Sequence, residues 1–147
     1  MINKTLTTKS LKETKNLGEA LGRQTKKGVV LTLYGDLGGG KTTFIQGFAK
    51  GLGIKTRITS PTFIILRSYK LKENSFFHID LYRIQDENDI KGIGLEELLN
   101  SKEDVIAIEW AEKLGKFLPK KRIDVFFEEK GEHKRKISIK KIGFKNE

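Results

Sequence analysis

The chain has 147 residues, no cysteine, and a formal charge of +10 at pH 7. That length suits one domain with a genuine core and leaves little room for a separate lid or substrate domain. The absence of cysteine excludes disulfides, zinc–thiolate sites and a thiol nucleophile, and no apolar run approaches the roughly 20 residues that a spanning helix requires. The start Met-Ile-Asn-Lys-Thr lacks the apolar segment of a secretory signal. The expectation is therefore a single domain over residues 1–147, soluble and cytoplasmic, with no membrane partner. The charge is uneven: residues 1–50 carry nine basic and three acidic side chains, and residues 119–147 carry ten and five. A lysine-rich composition accounts for this, and so does steering towards an acidic partner or nucleic acid.

Ser10 and Glu13 have capping-box spacing, and the stripe Leu11, Thr14, Leu17, Leu21, Gln24 predicts an amphipathic helix that ends at Lys26-Lys27-Gly28. Val29 to Tyr34 is a short, nearly unbroken apolar run, the pattern of a parallel strand covered on both faces. A glycine-rich turn follows directly, and Thr43 to Leu52 then has helical spacing, with Gly51 and Gly53 as its stop. Thr62 to Leu66 and Phe76 to Tyr82 read as strands of a hairpin turning at Lys72-Glu73-Asn74. Leu95 to Asn100 reads as a short helix, Val105 to Ile108 as a buried strand, and Ala111 to Phe117 as a further helical turn or two. A closing hairpin pairs Ile123–Phe127 with Ile137–Ile142. The mixture of βαβ units and hairpins predicts an α/β fold, a P-loop NTPase sandwich whose mixed sheet is parallel at the centre and antiparallel at its edges.

The turn itself reads Gly35-Asp36-Leu37-Gly38-Gly39-Gly40-Lys41-Thr42. Its glycines allow successive backbone N–H groups to turn inward as an anion nest, which opens onto a helix N-terminus where unpaired N–H groups favour phosphate. Lys41 would bridge β- and γ-phosphates as a point charge, and the Thr42 hydroxyl would face magnesium. The expected ligands are ATP or ADP with Mg2+. A magnesium shell also calls for a carboxylate at the end of a neighbouring strand. Asp80, after Phe76–Ile79, and Glu109, after Val105–Ile108, both qualify. Thr62, behind Ser60-Pro61, sits where a switch segment reaches metal or phosphate, though an ordinary capped turn reads the same way. Asp36 either orients a water or holds the turn. His78 shares a strand face with Asp80, which suits a supporting role as well as a purely structural one, and His133 lies in a charged turn.

Five ordered motifs resemble the TsaE family, the small bacterial ATPases of tRNA threonylcarbamoyladenosine synthesis. They are Ser10 to Thr14 with Leu17-Gly18, Gly35 to Thr43, Ser60-Pro61-Thr62-Phe63, His78 to Arg83, and Glu109-Trp110. One departure is Gly39, where the family usually has alanine. The resemblance implies Lys41, Thr42 and Thr43 on the phosphates, Asp80 and Glu109 around magnesium, and Thr62 in a nucleotide-sensitive segment. It also implies Trp110 near the nucleotide, with Thr14 and Arg135 as neighbours of its base or sugar. The partners it implies are TsaD and TsaB, with tRNA engaged through the complex. The transfer of the threonylcarbamoyl group would belong to TsaD, and slow hydrolysis, dependent on partners, to this chain. Two rival readings remain from the residues alone. One is a small-molecule kinase, which would need an acceptor pocket and an arginine-rich lid that the sequence does not display. The other is a nucleic-acid module built on the basic ends, marked by salt-dependent, ATP-insensitive binding.

Overall fold

The computed structural model describes residues 3–36, 40–59 and 66–144. Among the described residues seven strands form one sheet in the order β1-β7-β6-β2-β5-β4-β3. In chain order the elements are β1 (Lys4–Thr8), α1 (Leu11–Gln24), β2 (Val29–Tyr34), α2 (Lys41–Leu52), β3 (Leu66–Lys70), β4 (Ser75–Asp80), α3 (Glu87–Gly92), α4 (Leu95–Leu99) and β5 (Val105–Glu109). A 3₁₀ segment (Ala111–Phe117), β6 (Arg122–Gly131) and β7 (Lys134–Ile142) follow. β2 pairs in parallel with both β5 and β6, and β5 in parallel with β4. The outer pairings β3–β4, β6–β7 and β1–β7 are antiparallel. The expected parallel centre with antiparallel edges is the architecture observed.

β2 is nearly all apolar because both faces of the sheet are covered at its position, and its buried Thr32 donates to Asp124 Oδ1 at 2.6 Å. One core layer packs Leu31 and Leu33 with Phe44, Ile45 and Phe48 of α2 and Leu21 of α1. The other packs Val30, Ile106 and Ile108 with Ile90, Leu95, Leu99 and Leu114. α1 begins as its sequence predicts, with Ser10 Oγ accepting from the Glu13 amide at 3.1 Å. The return bond of the capping box runs one residue earlier than usual, from the Lys9 amide to Glu13 Oε1 at 2.8 Å.

α1 and α2 touch backbone to backbone through four glycines. A methyl group built on Gly47 would come within 1.9 Å of the Lys15 carbonyl oxygen, and one on Gly18 within 2.1 Å of that of Phe44. Gly22 and Gly51 meet the opposite backbone equally closely. Gly51, read from the sequence as a stop, thus belongs to the packing, and Gly53, in the left-handed region at φ 104°, ends α2. Of the first hairpin, the expected strand Thr62–Leu66 lies outside the described residues except for Leu66, which opens the observed strand Leu66–Lys70, and β4 ends at Asp80 rather than Tyr82. β1 and α3 are elements that the periodicity did not predict. Among the described residues no helix is long and apolar enough to cross a membrane.

Candidate functional site

The side chains of interest converge at the carboxyl ends of the parallel strands. Parallel register places Asp80 of β4 beside Glu109 of β5, and Glu109 beside Leu33 of β2. Strand alternation then puts Phe76, His78 and Asp80 on one face with Val105, Ala107 and Glu109. That is the face covered by α2. At the end of β2 the chain turns at Gly35 with φ 139°, where a Cβ would also lie 2.7 Å from the Phe127 carbonyl oxygen. Gly40 opens α2 at φ 96° and leaves its N-terminus with no side-chain cap among the described residues. The amides of the first turn are therefore available to an anion.

Lys41, the first residue of α2, is buried at 4 % exposure. Its ammonium donates to the Gly35 carbonyl oxygen and lies 4.1 Å from the centroid of the Trp110 ring. Burial pushes its pKa down, and the negative charges of Glu109, Glu112, Asp80 and Asp36 oppose that shift. Thr42, the next residue, directs Oγ1 at both oxygens of Glu109, at 3.4 and 3.5 Å. Glu109 is itself buried and takes a 2.7 Å hydrogen bond with Nε2 of His78, which is fully enclosed. Asp80 accepts from the Tyr82 amide at 2.9 Å. Burial raises the Asp80 pKa; the Tyr82 amide lowers it, and the Glu109 charge raises it further.

These distances give an all-oxygen set, a hydroxyl and a carboxylate in facing positions with a second carboxylate on the adjacent strand. Among the described residues no cluster of three or more His, Cys, Asp or Glu side chains forms a protein-only metal cage. The arrangement suits a hard cation that keeps water and phosphate oxygens in its shell.

The remaining predicted residues divide into those that the structure draws into this region and those outside the described residues. Thr43 lies half-buried in the first turn of α2, and Asp36 is exposed just beyond β2. Thr14 and Arg135 converge on the start of α2, with Thr14 Cγ2 at 3.6 Å and Arg135 Cγ at 3.7 Å from the position of a Cβ on Gly40. The Thr14 hydroxyl is already engaged, sharing a 2.7 Å hydrogen bond with Thr8 and reaching the Ser10 carbonyl oxygen. Arg135 Nη1 donates to the carbonyl oxygens of Lys134 and Gly131. Trp110 stands in the left-handed region at φ 60° and ψ 43°, immediately before the 3₁₀ segment. Leu37, Gly38, Gly39 and Thr62 lie outside the described residues.

The site also contains residues whose part the sequence did not disclose. Tyr82, 49 % exposed, packs its ring 5.2 Å from that of Trp110. Lys113 anchors the same corner by donating to the carbonyl oxygens of Tyr82 and Ile84. An exposed aromatic two residues beyond Asp80 was the available signal. His133 is in a charged turn as expected, at φ 60°, beside Glu132.

A glycine turn leaving a central parallel strand, a lysine and a threonine opening the next helix, and carboxylates ending the neighbouring strands define a P-loop NTPase fold. Residues 8–137 match the family model described as "Threonylcarbamoyl adenosine biosynthesis protein TsaE". The chain belongs to the TsaE family. A relative from Bacillus subtilis named tRNA threonylcarbamoyladenosine biosynthesis protein TsaE is 39% identical over 131 residues, covering 89% of this chain and 81% of the relative. A protein of the same name from Rickettsia typhi is 39% identical over 139 residues, covering 94% and 95%. The crystal structure of YdiB from Bacillus subtilis superposes with a TM-score of 0.79 at 35% identity, covering 96% of this chain and 86% of that one.

Proposed function

We propose that the chain binds ATP with magnesium and hydrolyses it in support of threonylcarbamoyladenosine formation at adenosine 37 of tRNA, acting with TsaD and TsaB. The observation that carries this reading is the convergence of Lys41, Thr42 and Glu109 at the uncapped N-terminus of α2. The names of the relatives supply the pathway.

In this reading the turn Gly35 to Gly40 and the first amides of α2 cradle the phosphates. Lys41 leaves the Gly35 carbonyl and the Trp110 ring to meet the β- and γ-oxygens. Thr42 Oγ1 and Glu109 hold the magnesium shell, with Asp80 beside them, and Thr62 adds a hydroxyl from its own segment. Magnesium, when bound, supplies charge neutralisation at the phosphates. Thr42 Oγ1 and the Glu109 carboxylate would hold it, as hard oxygen donors that leave room for water and phosphate oxygens. Thr43, Trp110, Thr14 and Arg135 complete the wall of the nucleotide site.

The chain hydrolyses ATP slowly by itself. Loose phosphoryl transfer gains roughly 10³–10⁵ in rate from an arginine that neutralises the transition state. Arg57, Arg67 and Arg83 are all exposed, at positions from which a partner can order them. The test is the steady-state ATPase rate of the purified chain alone and with TsaB, TsaD and tRNA. Stimulation by the partners is expected. A fast rate that the partners leave unchanged refutes the reading, as does phosphorylation of an added small metabolite.

A further inference from the structure

We infer that His78 is a positioning residue for the magnesium-binding carboxylate: carrying its proton on Nε2, it donates to Glu109 Oε2 and fixes that carboxylate edge-on to Thr42 Oγ1. This inference rests on the placement of magnesium between Thr42 and Glu109 proposed above.

Three observations carry it. First, His78 Nε2 lies 2.7 Å from Glu109 Oε2, with His78 fully enclosed and Glu109 at 4 % exposure. A carboxylate buried to that degree needs a donor for each oxygen that no cation reaches. Second, Nδ1 of His78 is buried with no hydrogen-bond partner among the described residues. A buried N–H without an acceptor costs more than a bare lone pair without a donor, so the proton belongs on Nε2, where the carboxylate receives it. Third, the strand registers dictate the pairing. His78 is two residues before Asp80, and Asp80 is the register partner of Glu109, so the imidazole crosses diagonally between β4 and β5 to reach the carboxylate from the sheet side. Thr42 approaches the same carboxylate from α2. Glu109 is thus held between a fixed imidazole and the hydroxyl that faces the cation, and neither of its oxygens is free to rotate away.

An outer partner of this kind typically sets metal affinity or activity by roughly 10- to 100-fold. The test begins on the unmodified protein. The chain has two histidines, His78 and His133, so their imidazole nitrogens separate in a long-range ¹⁵N–¹H correlation spectrum. His78 is expected to show the Nε2–H tautomer, with its Nε2 resonance shifting when Mg2+ and a non-hydrolysable ATP analogue are added together. An Nδ1–H tautomer overturns the inference without any variant having to fold. Calorimetry then measures analogue affinity with and without Mg2+ in His78→Gln, which retains a donor near Nε2, and His78→Met, which does not. His78→Met is expected to lose about 10-fold or more of the affinity that Mg2+ adds, with Mg2+-free affinity unchanged, and His78→Gln to recover most of it. Equal behaviour of the two variants overturns the positioning role. Glu109→Gln serves as the reference: if it leaves the Mg2+ contribution intact, the placement of magnesium fails, and the His78 inference fails with it for that separate reason.

Discussion

The ammonium of Lys41 lies 4.1 Å from the centroid of the Trp110 ring, so the residue expected to take phosphate rests on the face of the chain's one tryptophan. Its other partner is the Gly35 carbonyl oxygen. Both contacts are local and replaceable, and phosphate oxygens offer the ammonium stronger charge-assisted bonds than a carbonyl and a ring do. Nucleotide binding should therefore withdraw the cation from the indole. Trp110 emission is expected to change saturably with ADP or ATP, and a flat titration alongside confirmed binding would place Trp110 outside the site.

Lys41→Ala removes one charge-assisted bond of about 1.5–3 kcal/mol, which corresponds to a loss of roughly 10- to 100-fold in ATP affinity. Because the side chain points at the turn and not into the apolar layers, far-UV circular dichroism should remain that of the parent. Calorimetric affinity equal to the parent's, with the fold intact, would remove Lys41 from the site.

Glu109 and Asp80 occupy adjacent positions but are held differently. Glu109 faces Thr42, whereas Asp80 accepts from a backbone amide beyond its own strand. Glu109→Gln is expected to reduce magnesium-dependent hydrolysis by more than the roughly 10- to 100-fold typical of an outer partner, and Asp80→Asn by less. A magnesium titration of the ATPase rate distinguishes the two, and the reverse order would make Asp80 the direct ligand.

The raised pKa of Asp80 makes a separate prediction about stability. A carboxyl whose pKa is higher in the folded state binds more protons folded than unfolded. Its burial therefore opposes folding once it ionises, and stability falls as pH rises from the ordinary carboxylate value through the raised one. Asp80→Asn keeps an oxygen for the Tyr82 amide and has no charge to desolvate. Its melting temperature at pH 7 should exceed the parent's, and the difference should shrink as pH falls through the raised value towards the ordinary carboxylate range, below which the parent's carboxyl is protonated in both states. A gap that is independent of pH would mean that the charge is not the cause.

The glycine contact between α1 and α2 predicts an asymmetric response to the smallest substitution. Gly47→Ala sets a methyl 1.9 Å from the Lys15 carbonyl oxygen, where only backbone movement makes room. The expected cost is about 1–3 kcal/mol, a fall in melting temperature of about 3–10 °C. Gly92→Ala, at a position with nothing within 4 Å, should leave stability unchanged or slightly improved. Equal melting temperatures for the two variants would contradict the close approach.

How far the sequence disclosed this molecule depended on the range of the interactions concerned. β2, the turn and α2 were legible because a nearly unbroken apolar strand, a glycine cluster and a helical stripe are local patterns. β1 was not, because Lys-Thr-Leu-Thr-Thr is an edge strand in which only Thr8 is buried, and its pairing with β7 is made across the chain. α3 buries only Ile90, and its boundary is set by polar chemistry, a capping box between Asp86 and Asp89, not by an apolar stripe. Residues 67–70 of β3 also escaped the pattern, since Arg67, Ser68 and Lys70 make this a mostly polar, exposed strand. At the site, period-two spacing placed His78 with Asp80. The hydrogen bond that His78 makes with Glu109 depends instead on the register of two strands 31 residues apart, which no local pattern encodes.

The pairing of β1 with β7 places Lys4 beside Ile139 and Thr8 beside Arg135. The wall at Gly40 is thus assembled from the earliest and the latest strands of the sheet, since Thr8 holds the Thr14 hydroxyl while Arg135 lies against the same glycine. During synthesis β2, the glycine turn, β4 and β5 emerge well before β7 does. If this wall bounds the proposed nucleotide site, that site stays open on this side of the nascent chain until β7 has emerged, and full nucleotide affinity is expected only after this long-range pairing has formed.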